Sequence, residues 1–117
     1  MIHVYGIPNC DTVKKARAWL TDQGLAYSFH DFKKQGVPVE ALTNWAQAVG
    51  WDKLINHQGT TWRKLDAAAQ ASAATPQGAQ KLVIGNPSVI KRPAVQWPNG
   101  VVTVGFDTLL WTEMARK

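Results

Sequence analysis

The chain has 117 residues, of which 45% are hydrophobic and 18% charged, with 13 Lys and Arg against 8 Asp and Glu for a net charge of +5. That length and apolar share fit one domain over residues 1–117 with a sizeable core, and they exclude a disordered chain; no stretch approaches the roughly 20 apolar residues of a membrane span, so no membrane partner is expected. The basic surplus is either a solvated surface or an attractor of a small anion, and with no long run of like charges and no RNA-binding sheet signature a nucleic acid is not the expected partner.

Ile2 to Gly6 alternates and reads as a first strand, and Ile7-Pro8-Asn9 breaks it. From Asp11 the spacing turns helical, with Val13, Ala16 and Leu20 on one face, Trp19 beside them and Gly24 as the stop. Ala26 to Phe32 reads as a second strand, Tyr27 and Phe29 to one side, Ser28 and His30 to the other. Strand, helix and strand in so short a span predict a parallel βαβ unit.

After a loop marked by Gly36 and Pro38, Val39, Leu42, Ala46 and Val49 form a helical stripe closed by Gly50, and Trp51 to Ile55 suits a short helical turn. Thr60 or Thr61 is placed to cap a helix starting near Trp62. Asp66 to Gln80, rich in Ala and Gln, is helix-permissive but weakly amphipathic and interrupted by Pro76 and Gly78, and is expected at the surface and variable in conformation. Leu82-Val83-Ile84 is too short for its period to decide between strand and helix. Asn86-Pro87 restarts the chain as a cap followed by a first helical residue. Ala94 to Trp97 and Val101 to Val104 flank Pro98-Asn99-Gly100, a hairpin signal. Phe106, Leu109, Leu110 and Met114 predict the face of a final helix, with Arg116 and Lys117 at its negative end.

Cys10 is the one cysteine, so neither an intramolecular disulfide nor a multi-cysteine zinc site is available, and His3, His30 and His57 have no metal-ligand spacing; no metal ligand is assigned. A reducing cytoplasm is the expected compartment, and Met1 to Gly6 has none of the order of a secretory signal. Cys10 stands between a strand and the head of a helix. The first amides of a helix lack internal acceptors, and its dipole puts partial positive charge there, so a thiolate at that place is expected to accept their hydrogen bonds. Lys14, with Lys15 and Arg17 behind it, adds positive potential. By position alone, a small buried residue beside a turn and a functional thiol are both open readings. Val13 stands where a second cysteine of a Cys-Xaa-Xaa-Cys pair would, so thiol chemistry here needs an external resolving thiol.

Val4 to Arg17 (VYGIPNCDTVKKAR), Gly59 to Leu65 (GTTWRKL) and Asn86 to Pro93 (NPSVIKRP), in that order, resemble the arsenate reductase (ArsC-like) family. The resemblance spans essentially the whole chain, is closest to the YffB-type branch, and extends to the Spx-type regulators. It implies an α/β, thioredoxin-like fold (βαβ … ββα) with a helical insertion, and a helix for Leu82 to Ile84. It also implies glutathione-dependent thiol chemistry at Cys10, with glutathione as co-substrate and glutaredoxin as a possible partner. Arg63 and Arg92 match two family arginines; Arg92 precedes Pro93, for which the resemblance implies a cis bond. Asn9 and Thr12 are placed to shape the loop or meet the sulfur, while Lys14, Arg63 and Arg92 are placed to meet a carboxylate, for which a guanidinium fork is well suited. Trp62 and Trp97 read as packing residues. Arsenate reduction is the alternative, weakened because Val102 to Asp107 (VTVGFD) carries no third arginine and Gly6-Ile7 replaces a His-Asn pair. A non-enzymatic RNA polymerase-binding regulator of the Spx type is the other, weakened by Val13.

Overall fold

The computed structural model describes residues 1–116. Lys117, expected beside Arg116 at the end of the last helix, lies outside them. A parallel βαβ unit comes first: β1 (Ile2–Gly6), α1 (Asp11–Asp22) and β2 (Tyr27–Asp31), with Ile2 opposite Tyr27 and Gly6 opposite Asp31. The hairpin of β3 (Ala94–Gln96) and β4 (Val102–Val104) adds to the other edge of β1, β3 running antiparallel to it, and α8 (Thr108–Arg116) follows. The sheet order is β2-β1-β3-β4. Between β2 and β3 lies the insertion: α2 (Phe32–Gln35), α3 (Val39–Val49), α4 (Trp51–Leu54), α5 (Thr60–Lys64), α6 (Ala67–Ser72), α7 (Pro76–Gly85) and a 3-10 turn at Pro87–Val89. This is the thioredoxin-like α/β arrangement with a helical insertion, and Leu82 to Ile84 lie in a helix.

Alternation along the strands sends side chains to two cores. Ile2, Val4 and Val95 join Ala16 and Leu20 of α1 and Trp111 and Met114 of α8. Tyr5 and Ala94 face the other way, onto Phe32, Leu42, Trp45, Leu54 and Val83 of the insertion. No helix among the described residues is long and apolar enough to cross a membrane.

Several sequence expectations shift. β2 stops at Asp31 because its carboxylate accepts the Lys33 N–H at 2.8 Å and opens α2. Helix α5 starts at Thr60 with Gly59 as its cap residue, so neither threonine takes that role. Residues 66–80 are ordered as helix, and local capping explains it. Asp66 Oδ1 accepts from Ala69 N–H at 2.7 Å to open α6, and Thr75 Oγ1 accepts from Gly78 N–H at 3.1 Å to open α7. Pro76 is then a first-turn residue, where its missing N–H costs nothing. Gly78 lies so close to the Ser72 carbonyl oxygen that no side chain fits. Asn86 does not cap through its side chain; its amide donates back to Leu82 O at 3.0 Å. In α8 the buried residues are Trp111 and Met114, whereas Leu109 is 81% exposed and Leu110 is also exposed. The bulky indole of Trp111, edge-on to Trp19, Trp97 and Phe106, takes the inward direction and turns the leucines out.

A candidate active site around Cys10

At the end of β1, a Cβ on Gly6 would come within 2.9 Å of Val13 Cγ2, so the bare glycine lets α1 press against the strand. The chain turns at once: Cys10 N–H donates to Ile7 O at 3.2 Å, and Lys14 N–H donates to Cys10 O at 2.9 Å, opening α1. Cys10 is therefore the cap residue of α1, half-buried, as its position predicted. The expected sulfur contacts with the first-turn amides are not made. A thiol sulfur is a weak acceptor, and the side chain lines a neighbouring hollow instead.

That hollow has a volume of about 250 Å³. Cys10 and Thr12 contribute from the head of α1, and Arg92 from the entry to β3. Asn56, Lys91, Gly105 and Phe106 complete it. A small antiparallel bridge, Ile55 with Ile90, brings the distant segments together. Lys91 N–H donates to Leu54 O at 2.8 Å and Asn56 N–H to Val89 O at 2.7 Å, fixing Asn56 and Lys91 on either side of it. Just after β4, Gly105 N–H donates to Pro93 O at 3.0 Å, and the Arg92–Pro93 bond is cis.

Of the residues picked from sequence, Cys10, Thr12 and Arg92 thus meet at one hollow, while buried Pro93 does not line it but accepts from the N–H of Gly105, which does. Asn9 is exposed in the turn before Cys10 and does not line the hollow. Nor does Lys14, exposed on α1, or Arg63, exposed on α5. Asn56, Lys91, Gly105 and Phe106 escaped the sequence reading. Lys91 lay inside the quoted NPSVIKRP block, but only the bridge to Ile55 gives it, and Asn56, a reason to face the thiol.

The electrostatics of the hollow are one-sided. Among the described residues the one ion pair is Arg116 with Glu113, 3.8 Å apart at the far end of α8. Lys91 and Arg92 consequently have no carboxylate in salt-bridge reach. Asp107, close by in the chain, is engaged elsewhere, accepting the Leu109 and Leu110 N–H groups at 3.0 and 3.3 Å. The shifted titrations lie along β1 and β2. Burial pushes the Tyr5 phenol up, and burial, with His3 second, holds His30 down. His3 Nδ1 and His30 Nε2 are 3.0 Å apart, and Tyr5 stacks on His30.

The ArsC family model matches residues 5–114, and the chain belongs to that family. A solved YFFB protein superposes with a TM-score of 0.91 at 40% identity, covering 97% of this chain and 98% of that one. An uncharacterised protein of Haemophilus influenzae is 41% identical over 107 residues, 92% of each chain. The global transcriptional regulator Spx of Listeria innocua is more distant, 24% identical over 97 residues, 81% of this chain and 72% of the regulator.

Proposed function

We propose that the protein is a glutathione-dependent thiol reductase working by thiol–disulfide exchange at Cys10. The observation that carries this reading is the hollow itself: a half-buried thiol at a helix head, beside two cations without carboxylate partners. Cys10 as thiolate attacks the glutathione sulfur of a mixed disulfide, a Cys10–glutathione disulfide forms, and the substrate leaves as its thiolate. A second glutathione thiolate then attacks the glutathione sulfur of that adduct, releasing oxidised glutathione and restoring the Cys10 thiolate. The mixed disulfide and one glutathione thus give the substrate thiol and oxidised glutathione, one disulfide exchanged for another, with Cys10 returned as its thiolate. Glutaredoxin is the protein thiol that would do the resolving step in place of free glutathione. Carboxylates outnumber ammonium groups in glutathione, so Arg92 has an anionic partner to hold, and its planar fork suits a carboxylate. Thr12 and Asn56 offer a hydroxyl and an amide to the peptide groups of the same ligand. The cytoplasm, where glutathione keeps thiols reduced, is the matching compartment.

The test is mass spectrometry of the intact protein after exposure to oxidised glutathione. The expected result is one glutathione adduct on the native chain, none on Cys10→Ser, and removal of the adduct by added reduced glutathione. An adduct that reduced glutathione fails to release overturns turnover. Arsenate-dependent oxidation of glutathione in the presence of glutaredoxin would replace this reading with arsenate reduction.

A further inference from the structure

Val102 to Asp107, the stretch without a third arginine, brings a bare glycine to the hollow. Gly105 has φ +82°, which favours glycine. The Lys91 side chain lies directly over it: a Cβ on Gly105 would stand 3.0 Å from Lys91 Cε and 3.7 Å from both Cδ and Cγ. The lysine stem thus occupies the space that any side chain at 105 would take. Its root is fixed, since Lys91 N–H is tied to Leu54 O at 2.8 Å. Gly105 is fixed in turn through its N–H to Pro93 O at 3.0 Å. Lys91 also lines a second hollow of about 590 Å³, which shares Gly105 and Phe106 with the thiol hollow. The cation therefore stands at the border of the two, where a ligand held by its sulfur at Cys10 extends outward. Asp107 lines that second hollow too, but its carboxylate is occupied by the head of α8.

We infer that Lys91, seated on Gly105, is the specificity-determining residue of the site, selecting disulfides whose sulfur-bearing arm carries a carboxylate. This rests on the exchange chemistry proposed above. A lysine binds a carboxylate as a point charge on a flexible stem and sets no bidentate geometry. It therefore raises the reaction of anionic disulfides over neutral ones without demanding one orientation.

The experiment measures second-order rate constants of Cys10 with two disulfides, oxidised glutathione as the anionic probe and hydroxyethyl disulfide as the neutral one. The readout is their ratio. Lys91→Gln is expected to lower the anionic-to-neutral ratio about tenfold, the low end of electrostatic focusing by a charged cleft, since one cation of the two is removed. Lys91→Glu should lower it further, and Lys91→Arg should restore most of it. Added salt should lower the ratio in the native chain and change it much less in Lys91→Gln. Gly105→Ala, which displaces the lysine stem, should move the ratio in the same direction as Lys91→Gln. An unchanged ratio in both Lys91→Gln and Lys91→Glu, with Cys10 still reactive, overturns the assignment of Lys91 alone. Failure of Cys10 to react with either disulfide overturns the exchange chemistry and this assignment with it.

Discussion

The two faces of the sheet are covered by different means. On one, α1 and α8, of 12 and 9 residues, lay long apolar stripes on the strands and lock through four edge-on aromatic contacts centred on Trp19, Trp97, Trp111 and Phe106. On the other, six helices build the cover piecewise, α3 and α7 of 11 and 10 residues and four more of only 4 to 6. Helices that short are not stable on propensity alone and depend on caps, close backbone approaches and packing. The difference teaches where precision resides. The long-helix face supplies the rigid strand-to-helix junction that holds Cys10. The piecewise face delivers Asn56 and Lys91 to it by a single bridge.

Three substitutions would separate the two modes. Trp111→Ala removes a fully buried indole from the long-helix face, and a loss of about 3–5 kcal/mol in urea unfolding is expected. Leu109→Ala, about half a turn away and exposed, should stay within about 0.5 kcal/mol of the native chain. A Trp111→Ala loss no larger than that of Leu109→Ala would refute the packing described. On the other face, Gly78→Ala drives a methyl into the Ser72 carbonyl. A loss of about 1–3 kcal/mol is expected. Hydrogen exchange should show α6 and α7 losing protection while β1 and β2 keep theirs; equal loss everywhere would mean the insertion and the sheet open together.

The smallest effect is a pH dependence. His30 is held below the usual histidine value, by burial first and by His3 second. The unfolded chain therefore takes up a proton that the folded one resists. The associated stability is complete above about pH 6.5, the unfolded value, and is lost as pH falls through the lowered folded value. The urea midpoint should thus decline on acidification, and His30→Gln should flatten that decline. An identical slope in the variant would assign the effect to another group.

The order of elements was readable where the signals are local. Val13, Ala16 and Leu20 repeat at helical spacing and are buried together, and the Asn99-Gly100 turn lies where its chemistry places it, Gly100 at φ +87° and Asn99 accepting from Val101 N–H at 3.1 Å. In residues 66–80, Pro76 and Gly78 look like breakers by type, but Thr75 caps α7 and makes both of them first-turn residues. Around the last helix Met114 is buried and Phe106 packs against the core as their spacing predicts, but Leu109 and Leu110 face out because the larger Trp111 fills the core in their place. In the site, Cys10, Thr12 and Arg92 were identifiable from motif and position. Asn56, Lys91, Gly105 and Phe106 were not, since a bridge between Ile55 and Ile90 leaves no mark on either local sequence. Arg63, chosen by motif, is carried on α5 outside the hollow.

That bridge has a thermodynamic corollary. Among the described residues Ile55 with Ile90 is the one isolated rung, and two backbone hydrogen bonds across it join the wall carrying Asn56 to the strand entry. A molecule gripping Cys10 on one bank and Asn56 on the other would act as a clasp between the two halves of the chain. Occupancy of the cleft would then register as an upward step in melting temperature, growing with ligand concentration, even before any sulfur is exchanged.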